Sequence, residues 1–231
     1  IEFTITSLVS LVIYLVPLIA LLLGFDAIVG ERERGSLDLL LALPITRGEL
    51  LIGKYLGLAL GLTLALLGGL ALVGVVLTMQ FGTRAVYHYG GFVMSSLLMG
   101  LAFLSMAVLM SVIARDRTRA SGGAVILWFL LVLVFDLVLL GVLVATSGHY
   151  GGDAFPYLLL LNPTDIFRIM NVFSTDDIRS AYGLMSVVPP VLSNIWVLTG
   201  AMLVWIAVPL ALANWRFKPW ASEPICAAAA T

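Results

Sequence analysis

Five apolar runs, at residues 5–25, 53–79, 91–114, 122–146 and 193–214, are each long enough to cross a bilayer, for which a helix needs about 20 residues. A backbone in hydrocarbon has no water to satisfy its polar groups, so a spanning run of this length must close its hydrogen bonds internally, as a helix does. Apolar residues make up 61% of the chain and charged residues 11%, far from the roughly 45–50% and 25% of a soluble domain. The fold class that follows is an all-α integral membrane protein, a polytopic helical bundle forming one transmembrane domain over residues 1–231. A net charge of −1 supplies no basic surface for phosphate, which excludes nucleic acid as a partner and leaves membrane lipid as the surroundings. Cys226 is the single cysteine, so no internal disulfide can form, and the residues after it do not match a C-a-a-X prenylation ending.

Basic residues orient the bundle. Arg32, Arg34 and Arg47 lie in the connector 26–52, followed by Lys54; Arg115, Arg117 and Arg119 lie in the connector 115–121; Arg216 and Lys218 follow the last run. These regions fall on one side, and that side is expected to be cytoplasmic. The first run then enters from the outside. With no Met and no basic leader before it, an upstream span is expected, making six in an intact protein.

The most patterned connector is the segment 30–50. Glu31, Arg32, Glu33 and Arg34 follow the first run directly, so the chain must leave the hydrocarbon by about Asp26. Ser36 is expected to cap a short helix, with Asp38 in its first turn where the helix dipole favours an anion. Leu37, Leu40 and Leu41 share one face of that helix, and Pro44 ends it. Thr46 and Glu49 form a T-x-x-E capping box, which starts a second helix that runs into the next span. A leucine-faced helix at the mouth of the bundle needs a cover.

Other signals carry less chemistry. Gly48 to Lys54 copies most of a G-x-x-x-x-G-K-[ST] phosphate loop, but Tyr55 takes the hydroxyl position, no strand precedes it, and a membrane helix follows. No nucleotide site, catalytic set, metal site or cofactor is expected in this chain; any ATP and Mg would belong to a partner. Asp136 lies inside the fourth run, where an ionised carboxylate is costly. It reads either as a pathway or proton-linked residue or as a hydrogen-bonding group between helices, and no second intramembrane acid or base is expected beside it. Met99, Met106 and Met110 share one helix face and read as packing. His88 and His149 sit in different outer connectors, a weak metal case. Gly53, Gly57 and Gly61, at spacing four, read either as a helix-packing seam or as the ordinary glycine of membrane helices.

Outside, residues 147–192 form the longest connector, with an outer helical segment at 150–190. Its Phe155–Leu161 stretch is too short to span, and Asn162-Pro163-Thr164-Asp165 makes a turn in which Thr164 is expected to cap a helix carrying Ile166, Ile169, Met170 and Phe173. Ser174 or Thr175 can cap another, which Pro189-Pro190 ends. Two short helices dipping into the outer interface offer a surface for an external partner, with Asn162, Asp165, Phe167 and Arg168 on it.

The run G-E-R-E-R-G-S-L-D-L-L-L-A-L-P-I-T-R-G-E-L-L-I-G-K, residues 30–54, closely resembles the segment after the second membrane helix of type-2 ABC exporter permeases. The resemblance covers the whole chain and implies a six-helix plan, with this segment as the coupling helix that docks on a cytoplasmic ATPase. It places Glu31, Glu33, Arg34, Leu37, Leu40 and Leu41 at that contact, with Arg115, Arg117 and Arg119 lining the second inner connector, and it likens residues 155–190 to the family's re-entrant outer helices. Within the family, L-N-P-T-D-I-F-R-I at 161–169 and R-F-K-P-W at 216–220 resemble permeases that serve maturation of nitrous oxide reductase. That likeness implies a cytoplasmic ABC ATPase, a second copy of the permease as a homodimer, a periplasmic β-helical accessory protein and a place in the bacterial inner membrane. It also implies a sulfur species as cargo for copper–sulfide cluster assembly. The rival expectations are an intramembrane enzyme using Asp136 and a passive membrane anchor for a periplasmic protein.

Overall fold

The computed structural model describes residues 2–81, 84–145, 155–172 and 194–217. Its elements are α1 (Glu2–Gly24), α2 (Val29–Arg34), α3 (Ser36–Leu41), α4 (Arg47–Phe81), α5 (Arg84–Ile113) and α6 (Arg117–Phe129), continued by a π-helical turn (Leu130–Val134) into α7 (Phe135–Ala145). Then follow α8 (Phe155–Leu158), a 3₁₀ turn (Leu159–Leu161), α9 (Pro163–Val172) and α10 (Ile195–Phe217). No strand occurs among the described residues, and five helices are long and apolar enough to cross a membrane. The expected polytopic helical membrane fold is what the chain adopts. His149, Cys226 and the expected helix after Ser174 lie outside the described residues.

The five crossings are not equivalent. The window of Tyr89–Ile113 is 72% buried, against 11% for Arg47–Val76 and 11% for Arg117–Val142, so α5 is the axle on which α1, α4 and α10 pack. Its sequence explains this. Ala102 and Ala107 present almost no side chain, and Gly100 leaves room for Val16 and Leu62, which would lie 3.1 and 3.3 Å from an added Cβ. Small residues let helices approach closely where lipid gives no hydrophobic drive. Ser96 and Ser105 of α5 are buried without penalty because their hydroxyls turn back to the helix: Ser96 donates to the Phe92 carbonyl at 2.7 Å and Ser105 to the Ala102 carbonyl at 2.7 Å. Met99 and Met106 are buried among these contacts, as packing residues.

Gly53, Gly57 and Gly61 meet no neighbouring atom within 4 Å of an added Cβ. The close approaches within the chain occur instead at Gly24 against Ala107, at Gly100, and at Gly74, over which the Tyr89 ring lies while its hydroxyl donates to the Leu70 carbonyl at 2.6 Å. Spacing alone cannot choose among glycines; the neighbouring helix does.

Candidate functional site

The inner connectors meet at one end of the bundle, as the arginine distribution requires. Ser111, the last polar residue of α5, accepts from two free backbone N–H groups at the start of α2, Ile28 at 2.9 Å and Val29 at 3.0 Å. Arg32 then donates to the Ala114 carbonyl at 2.9 Å and the Val112 carbonyl at 3.4 Å, satisfying the open end of α5. Asp26 pairs with Arg117, whose Nε lies 2.7 Å from Oδ1 and whose guanidinium donates one N–H to Oδ2 at 2.9 Å. Gly30 allows this, since a Cβ there would strike the Asp26 carboxylate. Glu33 accepts the Arg117 backbone N–H at 2.8 Å. Lys54, from α4, donates to Glu31 at 2.8 Å and to the Ala27 carbonyl at 2.7 Å. Helix α2 is thereby tied to α4, α5 and α6 at once.

Helix α3 is held differently. Gly35, at φ +72°, turns the chain between α2 and α3, a left-handed conformation that glycine adopts at no steric cost. Ser36 is therefore the first residue of α3 and not its cap: Gly35 holds that position, and the Ser36 hydroxyl bonds Glu31 instead. None of α3 is fully buried. Leu37, Leu40 and Leu41, expected to face a partner, are half-buried against this chain's own core. The outward apolar side is Leu39 at 74% exposure, with Leu43 at 53% and Ile45 at 38%. The leucine run L-D-L-L-L satisfies more than one helical face, so only the position of the bundle decides which side is outer. The Thr46–Glu49 box forms as expected, Thr46 N–H to Glu49 at 2.7 Å and Glu49 N–H to Thr46 at 3.2 Å. Arg115 and Arg117 lie exposed beside the α2 seam.

A second polar site lies within the bundle. The π-helical turn before Asp136, a rare irregularity that is frequent at functional sites, contains Leu131, whose carbonyl accepts a side-chain donor from outside its helix. Asn162 donates to it at 2.7 Å, while its side-chain oxygen accepts the Thr164 N–H at 3.1 Å. Asn162 is thus the cap of α9 and Thr164 is not; Pro163, with no N–H and a fixed φ, occupies the first helical position. Arg168 then bridges two carboxylates, Asp165 at 2.9 Å on its own helix and Asp136 at 2.8 Å on α7. The second acid and the base absent from the sequence reading come from α9, which folds back into the bundle.

This placement corrects the outer surface. Asn162 and Phe167 are 0% exposed and Asp165 1%, buried within the chain and closed to any outer partner. Arg168, half-buried, turns to the two carboxylates. Phe167 packs on Phe92 with ring centroids 6.0 Å apart, and Asn171 donates to Ser95 at 3.0 Å. The amphipathic pattern of α9 was legible; that its polar side also faces protein was not. Among the described residues no group of His, Cys, Asp and Glu could hold a metal ion.

The model of the family described as ABC-2 family transporter protein matches residues 3–219. The chain is 44% identical over 227 residues to the probable ABC transporter permease protein NosY of Stutzerimonas stutzeri, covering 93% of this chain and 79% of that relative. It is 45% identical over 222 residues to the protein of the same description from Pseudomonas aeruginosa, with the same coverage of 93% and 79%. The chain therefore belongs to the ABC-2 transporter family, as a membrane permease subunit of an ABC transporter.

Proposed function

We propose that α2 and α3 together are the lever through which a cytoplasmic ATPase subunit drives this permease. The observation that carries the reading is the contrast within one short segment: α2 is fastened to three helices, while α3 and the turn after it leave Leu39, Leu43 and Ile45 exposed. An apolar face at a membrane mouth is what a partner covers, and a rigid base is what passes its motion on to the spans. Glu31 and Glu33 serve this lever by holding its base, through Lys54 and Arg117. The permease works as a homodimer in the bacterial inner membrane, with Gly53, Gly57 and Gly61 available to a second copy and ATP and Mg bound by the partner ATPase. The resemblance to nitrous oxide reductase permeases and the names of the relatives support a role in maturation of that enzyme, with a periplasmic β-helical accessory protein. A sulfur species for copper–sulfide cluster assembly is the proposed cargo.

The rival intramembrane enzyme gains the second carboxylate it required, Asp165. Both carboxylates nevertheless face one guanidinium, which is the arrangement of an ion-paired seam. The test is coupling. Permease and ATPase co-expressed in nanodiscs are assayed for ATP turnover and complex assembly, with Leu39→Glu, Leu43→Glu and the double change Glu31→Ala with Glu33→Ala. Loss of assembly in the leucine variants and loss of coupled turnover in the glutamate pair, with unchanged helical content, are the expected results. Assembly and turnover at wild-type levels in all three would end the lever reading.

A further inference from the structure

We propose that the seam between α9 and α7 is a proton-dependent latch: Asp136, Asp165 and Arg168 hold one shared proton when α9 is seated and release it when α9 lifts. The inference concerns this chain's own residues and does not rest on the lever.

The argument starts from a count of charges. Two carboxylates meet one guanidinium, so the fully ionised cluster carries a surplus negative charge. Asp165 is 1% exposed, and the Asp136 and Arg168 side chains are 30% and 41% exposed. Lys54 and the other arginines with described side chains lie at the cytoplasmic end: Arg32, Arg34, Arg47, Arg115, Arg117, Arg119 and Arg216. Asp136 lies 19 residues beyond Arg117, about 28 Å up the crossing at 1.5 Å per residue, so those cations cannot compensate it. A surplus charge centred on the buried Asp165, with no counterion among the described side chains, is neutralised by a proton.

The other described side chains around the cluster do not supply a counterion. On α1, Tyr14 faces Arg168. On α5, the Tyr89 hydroxyl is committed to the Leu70 carbonyl, and Arg84, Tyr87 and His88 lie outside the described side chains. The 3₁₀ turn carries no titratable residue, and α10 carries Arg216 alone, at its cytoplasmic end. Asn162 donates to Asp165 at 3.1 Å without adding charge.

What makes the cluster a latch is its distribution over two elements. Arg168 and Asp165 ride on α9, and Asp136 rides on α7 directly after the π-helical turn. The same helix–helix seam holds the second tie, Asn162 to the Leu131 carbonyl. With the proton in place the seam is neutral and closed. Removing it leaves two carboxylates repelling across the seam, which hydration relieves once α9 opens. Seating is therefore strongest at low pH and weakens as pH rises through the titration of the seated cluster.

The test uses the protein in lipid nanodiscs, with ¹³C-labelled aspartate. Infrared spectra in D₂O are expected to contain a protonated carboxyl band that moves with the label, disappears on alkaline titration, and is missing from Asp165→Asn and Asp136→Asn. Hydrogen exchange of the α9 amides, corrected for intrinsic rates, reads the latch itself. Opening should rise by up to about tenfold per pH unit, the limit for one linked proton, and should be flat in both variants. A labelled wild-type protein with no protonated aspartate at neutral pH overturns the proposal without recourse to any variant. So does a band that persists in both variants, or α9 protection that is independent of pH in the wild type.

Discussion

The inner seam, where α2 meets α5 and α6, and the outer seam, where α9 meets α7, are built by the same means and answer to different physics. Each couples a polar side chain to backbone groups of another element: Ser111 to the N–H groups at the start of α2, and Asn162 to a carbonyl of the π-helical turn. Each adds carboxylates gripped by arginine. At the inner seam the acids Asp26, Glu31 and Glu33 face Arg34, Lys54 and Arg117, so acids and cations are equal in number. At the outer seam two acids share one base at bilayer depth. Charges balance in the first, and partly exposed pairs of this kind contribute about 0.2–1 kcal/mol each. The second is one cation short and one of its acids, Asp165, is 1% exposed, so its balance has to be met by the protein or by a proton.

The largest effect that would test this contrast comes from removing the cation on each side. Arg168→Gln is expected to cost about 2 kcal/mol or more, less than the ~3–5 kcal/mol of a fully buried pair because its side chain is 41% exposed. Arg117→Ala should stay within about 1 kcal/mol. Denaturant unfolding in detergent would measure both, and equal losses would erase the distinction. Next in size is Ser111→Ala, which strips two buried N–H groups of their acceptor, at about 1–3 kcal/mol. The loss should be local: hydrogen exchange at Ile28 and Val29 should quicken by tenfold or more while α9 keeps its protection. If both regions quicken together, the seams are one cooperative unit. The smallest expected change is Leu39→Ser, within about 0.5 kcal/mol in the isolated permease because the side chain packs on little. A larger loss would mean that α3 is braced by its own chain.

Some of these features could be read before any coordinates. The five crossings, the shared side of the inner connectors and the Thr46–Glu49 box were each set by local pattern, and they stand. The errors cluster where a local pattern admits several answers. Ser36 looked like a cap because serine is a good one, yet Gly35 beside it accepts the left-handed turn more easily. Thr164 looked like a cap as well, although the Asn-Pro pair before it carried the better signal. Helix α2 itself was read as a charged run at a membrane exit, since G-E-R-E-R has no apolar periodicity; its helicity is fixed by Ser111 and Arg117, 83 and 84 residues from their partners Ile28 and Glu33.

By itself the sequence determined that the chain is a helical membrane bundle with its arginine-rich connectors on one side, because length, apolarity and charge act residue by residue against lipid and water. Tertiary structure alone decided which leucines face outward, which glycines are packed, and that Asp136 has company. Those depend on where a distant helix comes to rest, and a carboxylate 32 residues from its guanidinium leaves no local trace of the bond it will make.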